Sequence, residues 1–211
     1  MAADLIFYTN PQSRGQVVRW MLEECGAPYE TALLDYGTSM KTAEYLAINP
    51  MGKVPAIVHM GHVVTEAAAI CAYLAEAFPE AGLKPVEPAL ADYYRWIFFA
   101  AGPIEAAFSN HAAGFVPPED KQMMFGYGNF ERATDTLETA VVGKRFIAGD
   151  RFSAADVYVG SMINFLMLFG MMAPRPAFTD YLSGLTARPA FIRAKEIDAA
   201  LIAEREAAAA G

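Results

Sequence analysis

The chain has 211 residues, 55% of them hydrophobic and 19% charged, which excludes an intrinsically disordered polypeptide and supplies core for one large domain or two small ones. Its net charge of −8, with no run of Lys or Arg, argues against a nucleic-acid-binding surface.

The N-terminal stretch MAADLIFYTN has neither a basic region nor a long apolar run, so no export signal is expected and the cytoplasm is the predicted compartment. Leu5–Tyr8 reads as a short apolar strand. Val17, Val18, Met21, Leu22 and Cys25 then fall at helical spacing, predicting a helix over 15–25 that stops at Gly26. Tyr29–Leu34 reads as a second strand and Thr42–Ile48 as a short helix ended by Asn49–Pro50. Two strands follow at 56–59 and 63–64, joined by Met60–Gly61–His62, and a helix over 66–78 opens at Thr65–Glu66. In this order a right-handed crossover makes the first two strands parallel and a hairpin makes the last two antiparallel. The prediction is a mixed four-stranded sheet with helices on both faces, the thioredoxin-like plan.

Residues 79–88 carry three prolines and a glycine, too many for a helix, and read as a linker. Beyond it every periodic stretch is helical, at roughly 89–112, 119–142, 154–171, 178–186 and 189–207. The expected architecture is α/β plus all-α: a domain over 1–78, a linker over 79–88 and a helical bundle over 89–211. The run from Val157 to Ala173 is nearly all apolar, but it is short of the ~20 residues of a membrane span and contains Ser161 and Asn164. It is predicted to be a core helix, and no membrane association is expected. Ser153 and Asp156 have capping-box spacing at its start. Cys25 and Cys71 both lie in apolar helical patterns and read as reduced core residues; no metal site is expected.

The chemistry concentrates in NPMGKVPAIVHMGHVVTEAAAICAYL, residues 49–74. A proline at 55 is tolerated where a strand begins, and a cis bond before it leaves the backbone groups of Val54 facing outward. Lys53, that backbone edge and Glu66 at a helix mouth make a cation, a strand-like edge and an anion in turn. Such a set suits an extended peptide with charged ends.

NPMGKVPAIV, the helix start TEAAAICAYL, RWMLEECGAPYE after the first strand, and FSAADV in the helical part together resemble the cytosolic glutathione S-transferases, of the bacterial, serine- or tyrosine-activated type. The resemblance spans essentially the whole chain. It implies a homodimer that binds glutathione as co-substrate along Val54–Pro55, and a more variable pocket for a hydrophobic electrophile. Lys53 then suits the glycine carboxylate and Val54 pairs with the cysteinyl backbone beside Pro55. Glu66 suits the γ-glutamyl ammonium, and the first N–H groups of its helix suit the γ-glutamyl carboxylate. Ala67 departs from the pattern, since the family usually has a serine there that bonds this carboxylate.

A free thiol of pKa ~8.5 is barely ionised at neutral pH, so the reaction needs a group that favours the thiolate. Two hydroxyls compete. Tyr8 precedes Arg19–Trp20 at the spacing of tyrosine-type relatives; Ser13, read as the cap of the first helix, resembles the serine-type. The helix dipole favours Ser13, with Arg14 adding positive potential. Thr9 and Asn10 are further donors, reminiscent of relatives that act on disulfides. Positions 10–13 read Asn-Pro-Gln-Ser, so the chain has no CxxC dithiol there and its sulfur chemistry must be imported.

For the electrophile pocket the candidates are Phe98, Gly102, Glu105, Phe108 and Phe165, while Tyr93, Tyr94, Trp96 and Phe99 face either core or dimer interface. The activity this implies is conjugation of the glutathione thiolate to a hydrophobic electrophile. Its alternatives are glutathione-dependent disulfide or peroxide reduction, and non-catalytic carriage of glutathione or a hydrophobic ligand.

Overall fold

Residues 4–210 are described in a computed structural model of the chain. The expectation about an export signal rests in part on residues 1–3, outside the described residues.

The chain divides into two compact units, residues 1–83 with 187–211 and residues 84–186. In the first, the strands β1 (Leu5–Thr9), β2 (Glu30–Leu33), β3 (Ala56–His59) and β4 (His62–Thr65) form one sheet in the order β2-β1-β3-β4. β1 pairs parallel to β2, whereas the β1–β3 and β3–β4 pairs are antiparallel. The mixed thioredoxin-like sheet expected from the β-α-β and hairpin pattern is therefore what forms. Helices α1 (Gly15–Cys25), α2 (Ala43–Ile48) and α3 (Ala67–Ala77) complete the unit, with α9 (Pro189–Ala210) packed along α1. By packing, this last helix belongs with the sheet, where the sequence pattern had grouped it with the helical segment.

Strand alternation divides the labour of β1. Phe7 points into the α1 side, where its ring meets Tyr29 at 6.1 Å and the Arg19 guanidinium at 5.2 Å. Tyr8 points to the opposite face, against a small cluster of Met40, Tyr45 and Ala56 with Leu34, Ile48 and Val54. β1 then runs into α1 with almost no clearance: a Cβ on Gly15 would collide with Thr9 Oγ1, so only glycine lets the helix start this close to the strand.

The second unit is helical: α4 (Leu90–Phe99), a wide π turn over Ala100–Ile104 that contains Pro103, α5 (Glu105–Ala112), α6 (Phe130–Val141), α7 (Ala154–Leu168) and α8 (Pro176–Thr186). Two expectations need correction. The helix expected over 89–112 is interrupted by the π turn at Pro103, whose ring and missing N–H break the regular ladder. The helix expected over 119–142 is a 3-10 turn at 119–124 and then α6; Gly128, at φ +69°, ends any continuation between them. Asn129 caps α6, its side chain accepting from the Arg132 N–H at 2.8 Å.

α7 is the predicted core helix, buried along most of its length from Ala154 to Leu166. Among the described residues no helix is long and apolar enough to cross a membrane. Its capping box is formed: the Ser153 N–H donates to Asp156 Oδ2 at 2.9 Å. Cys25 and Cys71 are unbridged and buried; burial pushes the Cys25 thiol up to about 12 and raises that of Cys71 further.

Candidate functional site

The register of the hairpin gathers the candidate residues. Ala56 pairs with Thr65 on one side and with Tyr8 on the other. Val54–Pro55, Glu66 and Tyr8 therefore all lie at the same end of the sheet, where the strands run out. The Val54–Pro55 peptide is cis, and within the described residues the N–H and C=O of Val54 form no hydrogen bond. Pro55 is buried, Val54 half-buried and Lys53 exposed.

Glu66 immediately precedes α3 and is held at φ +68°, ψ 117°, a conformation that side-chain-bearing residues rarely adopt. Its side chain is exposed and makes no capping bond to its own helix. A non-glycine residue in such a region costs about 1–3 kcal/mol and is typically found where a side chain must be aimed. Ala67 is the first residue of α3 and half-buried, so the helix opens with no side-chain hydroxyl at its first position.

The strand-to-helix turn after β1 is tightly bonded to itself. The Ser13 hydroxyl donates to the Asn10 carbonyl at 2.6 Å and accepts from the Gly15 N–H at 2.9 Å. Asn10 is buried, donating from Nδ2 to the Leu34 carbonyl at 2.8 Å and accepting from the Gln12 N–H at 3.0 Å. Thr9 is buried, with its hydroxyl 3.4 Å from the Asn10 carbonyl. The cap of α1 falls at Arg14 rather than at Ser13, because Arg14 already has helical backbone angles; Arg14 itself is half-buried.

Tyr8 differs from all of these. It is half-buried, its ring lies 5.7 Å from that of Tyr45, and its hydroxyl has no hydrogen-bond partner among the described residues.

Three residues that sequence reasoning passed over hold the loop before Val54. Tyr45 Oη donates to the Lys53 carbonyl at 2.6 Å, and Asn49 Nδ2 donates to the same oxygen at 2.7 Å. Asn49 Oδ1 accepts from the Met51 N–H at 3.1 Å, and Lys41 Nζ donates to the Gly52 carbonyl at 3.0 Å. The available signal was the spacing of Tyr45 and Asn49, four apart, with Asn49 ending α2 just before the loop.

In the second unit the electrophile candidates have different surroundings. Phe98 on α4 is 67% exposed and stacks on Tyr94 at 6.4 Å. Gly102 is exposed in the π turn, and Glu105 accepts from the Ser109 hydroxyl at 3.3 Å. Phe108 is buried edge-on against Phe130 at 4.7 Å, a core contact, and Phe165 packs on Phe169 at 4.6 Å. Tyr93 and Trp96 are buried, Tyr94 and Phe99 half-buried.

Residues 13–77 match the family model described as the N-terminal domain of glutathione S-transferase. Glutathione S-transferase GST-4.5 of Xanthomonas campestris is 28% identical over 199 residues, spanning 91% of this chain and 93% of that relative. The crystal structure of a glutathione transferase from Methylococcus capsulatus is 28% identical with a TM-score of 0.75, covering 92% of this chain and 98% of its own. A glutathione transferase homologue from Sulfitobacter, solved with bound glutathione, is 26% identical with a TM-score of 0.73, covering 93% and 98%.

Proposed function

Because the chain belongs to the glutathione S-transferase family, we propose that it binds glutathione at the sheet end around Val54, ionises its thiol and adds the thiolate to a hydrophobic electrophile. The observation that carries this reading is the unbonded backbone of Val54 at the same sheet end as Glu66, an exposed carboxylate held at positive φ immediately before α3.

Each end of the tripeptide finds a complement. The Val54 N–H and C=O extend the sheet by pairing with the cysteinyl residue. Lys53 takes the glycine carboxylate. Glu66 takes the γ-glutamyl ammonium, and the first turn of α3 with Ala67 takes the γ-glutamyl carboxylate through N–H groups alone. In the reaction the thiol proton passes to solvent, the sulfur lone pair forms the new C–S bond, and the electrophile's leaving group departs with its electron pair. Proximity supplies much of the acceleration. For the electrophile the reading prefers the exposed Phe98 and Gly102 and the half-buried Glu105 and Phe165 over the buried Phe108. The working form is a homodimer in the cytoplasm.

For the thiolate's hydrogen-bond donor the reading favours Tyr8. A serine has one hydroxyl hydrogen, and that of Ser13 is spent on Asn10. Thr9 is likewise engaged within the turn and Asn10 with the Leu34 carbonyl, which weakens the case for disulfide chemistry there. Ser13 and Arg14 then act by keeping the turn and the start of α1 in place.

The test is turnover of a model aryl halide and of a mixed glutathione disulfide, with ultraviolet titration of the bound thiolate. Conjugation well above the solution rate is expected. Tyr8→Phe should raise the bound thiol's pKa by about 1–2 units, equivalent to ~1.4–2.7 kcal/mol, and Ser13→Ala should shift it less. Turnover of the disulfide alone would favour reduction, and no turnover of either would leave a carrier. A larger shift in Ser13→Ala than in Tyr8→Phe would return the role to Ser13.

A further inference from the structure

We propose that Tyr45 is a positioning residue for the glutathione site: its hydroxyl holds the Lys53 carbonyl inward, which aims the Val54 N–H outward, while its ring seats Tyr8. The inference rests on the glutathione-binding reading above.

The geometry follows from peptide planarity. The Lys53 carbonyl and the Val54 N–H belong to one peptide unit, and only the bonds before Pro55 and Pro88 are cis among the described residues. In a trans unit the C=O and N–H point in opposite directions. Tyr45 Oη at 2.6 Å and Asn49 Nδ2 at 2.7 Å occupy both lone pairs of the Lys53 oxygen on the α2 side. The Val54 N–H is thereby fixed on the other side and, among the described residues, left without a partner. That N–H is the donor an added strand requires, so its aim is set by two side chains that never touch the ligand.

Tyr45 is suited to this task. It is 3% exposed, in the cluster with Met40 and Ala56, and α2 is anchored at its start by Thr42, whose hydroxyl accepts from the Tyr45 N–H. Burial, together with the nearby Tyr8 phenol, pushes its own phenol up to about 12 against the opposing Asn49 bond. The hydroxyl therefore remains a donor throughout the working range. The opposite end of its influence is the ring contact with Tyr8 at 5.7 Å and 40°. One residue thus joins the peptide-binding edge to the thiol-facing phenol through separate atoms.

Separate atoms allow separate measurements. Tyr45→Phe keeps the ring and removes the bond to Lys53. The KM for glutathione should rise about five- to tenfold, the scale of one lost hydrogen bond, with kcat at saturating glutathione within about twofold of the parent. Asn49→Asp keeps the acceptor for the Met51 N–H but sets a carboxylate against the Lys53 carbonyl, and should raise KM further. Tyr45→Leu removes the ring as well, and should lower kcat and move the basic limb of its pH profile upward. KM does not depend on the folded fraction, so loss of stability cannot imitate the first result. If KM stays within twofold in both Tyr45→Phe and Asn49→Asp, the proposal is wrong even though the parent enzyme binds glutathione. If calorimetry on the parent detects no glutathione uptake, the underlying reading fails, and the proposal with it.

Discussion

Glu66 shows how a single residue can be placed against its own preference. At φ +68° a side chain costs free energy that glycine would not, yet among the described residues the carboxylate has no hydrogen-bond partner that would compensate. The cost is explicable if the carboxylate is needed in the site. Two variants separate strain from chemistry. Glu66→Ala and Glu66→Gly both remove the carboxylate and should weaken glutathione binding equally, by about tenfold, the scale of a hydrogen bond to a charged group. Glu66→Gly should nonetheless be more stable to denaturant than Glu66→Ala by ~1 kcal/mol, because only alanine retains the left-handed penalty. Equal stability of the two would mean that the backbone at 66 is not strained. A sequence pattern locates such a glutamate at a helix start, but the sign of φ is a property of how the hairpin delivers the chain to α3. The same holds for Tyr8 and Ser13. Both were visible as hydroxyls near the turn, and only the three-dimensional bonding tells which hydrogen is already spent.

At the level of elements, the Ser153–Asp156 box does more than start a helix. Asp156 is fully buried and accepts from the Ile147 N–H at 2.8 Å, the Ser153 N–H at 2.9 Å, the Ser153 hydroxyl at 3.0 Å and the Tyr181 hydroxyl at 2.8 Å. It thus ties the loop before α7, α7 itself and α8 to one carboxylate. Burial raises its pKa, the four donors pull the other way, and the phenol of Tyr181 is driven well up. Asp156→Asn preserves shape but turns an NH2 group toward these donors. It should destabilise the chain by ~2–4 kcal/mol, seen as a lower urea midpoint at unchanged m-value. A change below 1 kcal/mol would mean that water or rearrangement satisfies the loop. The local half of this arrangement was legible because a capping box is a spacing rule. The bonds to Ile147 and Tyr181 were not, since nothing in the pattern marks an amide nine residues upstream or a phenol 25 residues downstream. Conversely, apolar periodicity over-extended the helix expected at 119–142: Phe125, Tyr127 and Phe130 suggest continuity, whereas Gly128 permits the turn that forms.

Across the whole chain, the largest departure from a linear reading is that the polypeptide leaves the sheet unit at Leu83 and returns to it at Ala187. α9 packs against α1 through the Trp20–Phe191 edge contact at 5.0 Å and Lys195 to Gln16 at 2.9 Å, with Arg188 just before it bonding Glu24 at 2.7 Å and Arg205 pairing Asp35 near its end. Local patterns cannot report a contact between positions 179 residues apart, and the linker's prolines suggested a single crossing. Deepest in this interface lies the pair Arg19–Asp198, at 2.7 Å with side chains 1% and 3% exposed. Arg19 also donates to Tyr29 at 3.1 Å and Thr31 at 3.4 Å, so the guanidinium joins α1, β2 and α9. Yet Arg19 Nη2 and Asp198 Oδ2 find no partner among the described residues, and burial raises the Asp198 carboxyl despite the neighbouring charge. A pair with unmet atoms on both sides gains little over apolar packing, but breaking it strands a buried charge. Asp198→Ala should therefore cost ~3–5 kcal/mol in denaturant unfolding, while the double variant Arg19→Met/Asp198→Leu should recover to within ~1 kcal/mol of the parent or exceed it. If the double variant is as unstable as the single one, the ion pair itself, rather than the burial around it, is what fastens the returning helix to the sheet unit.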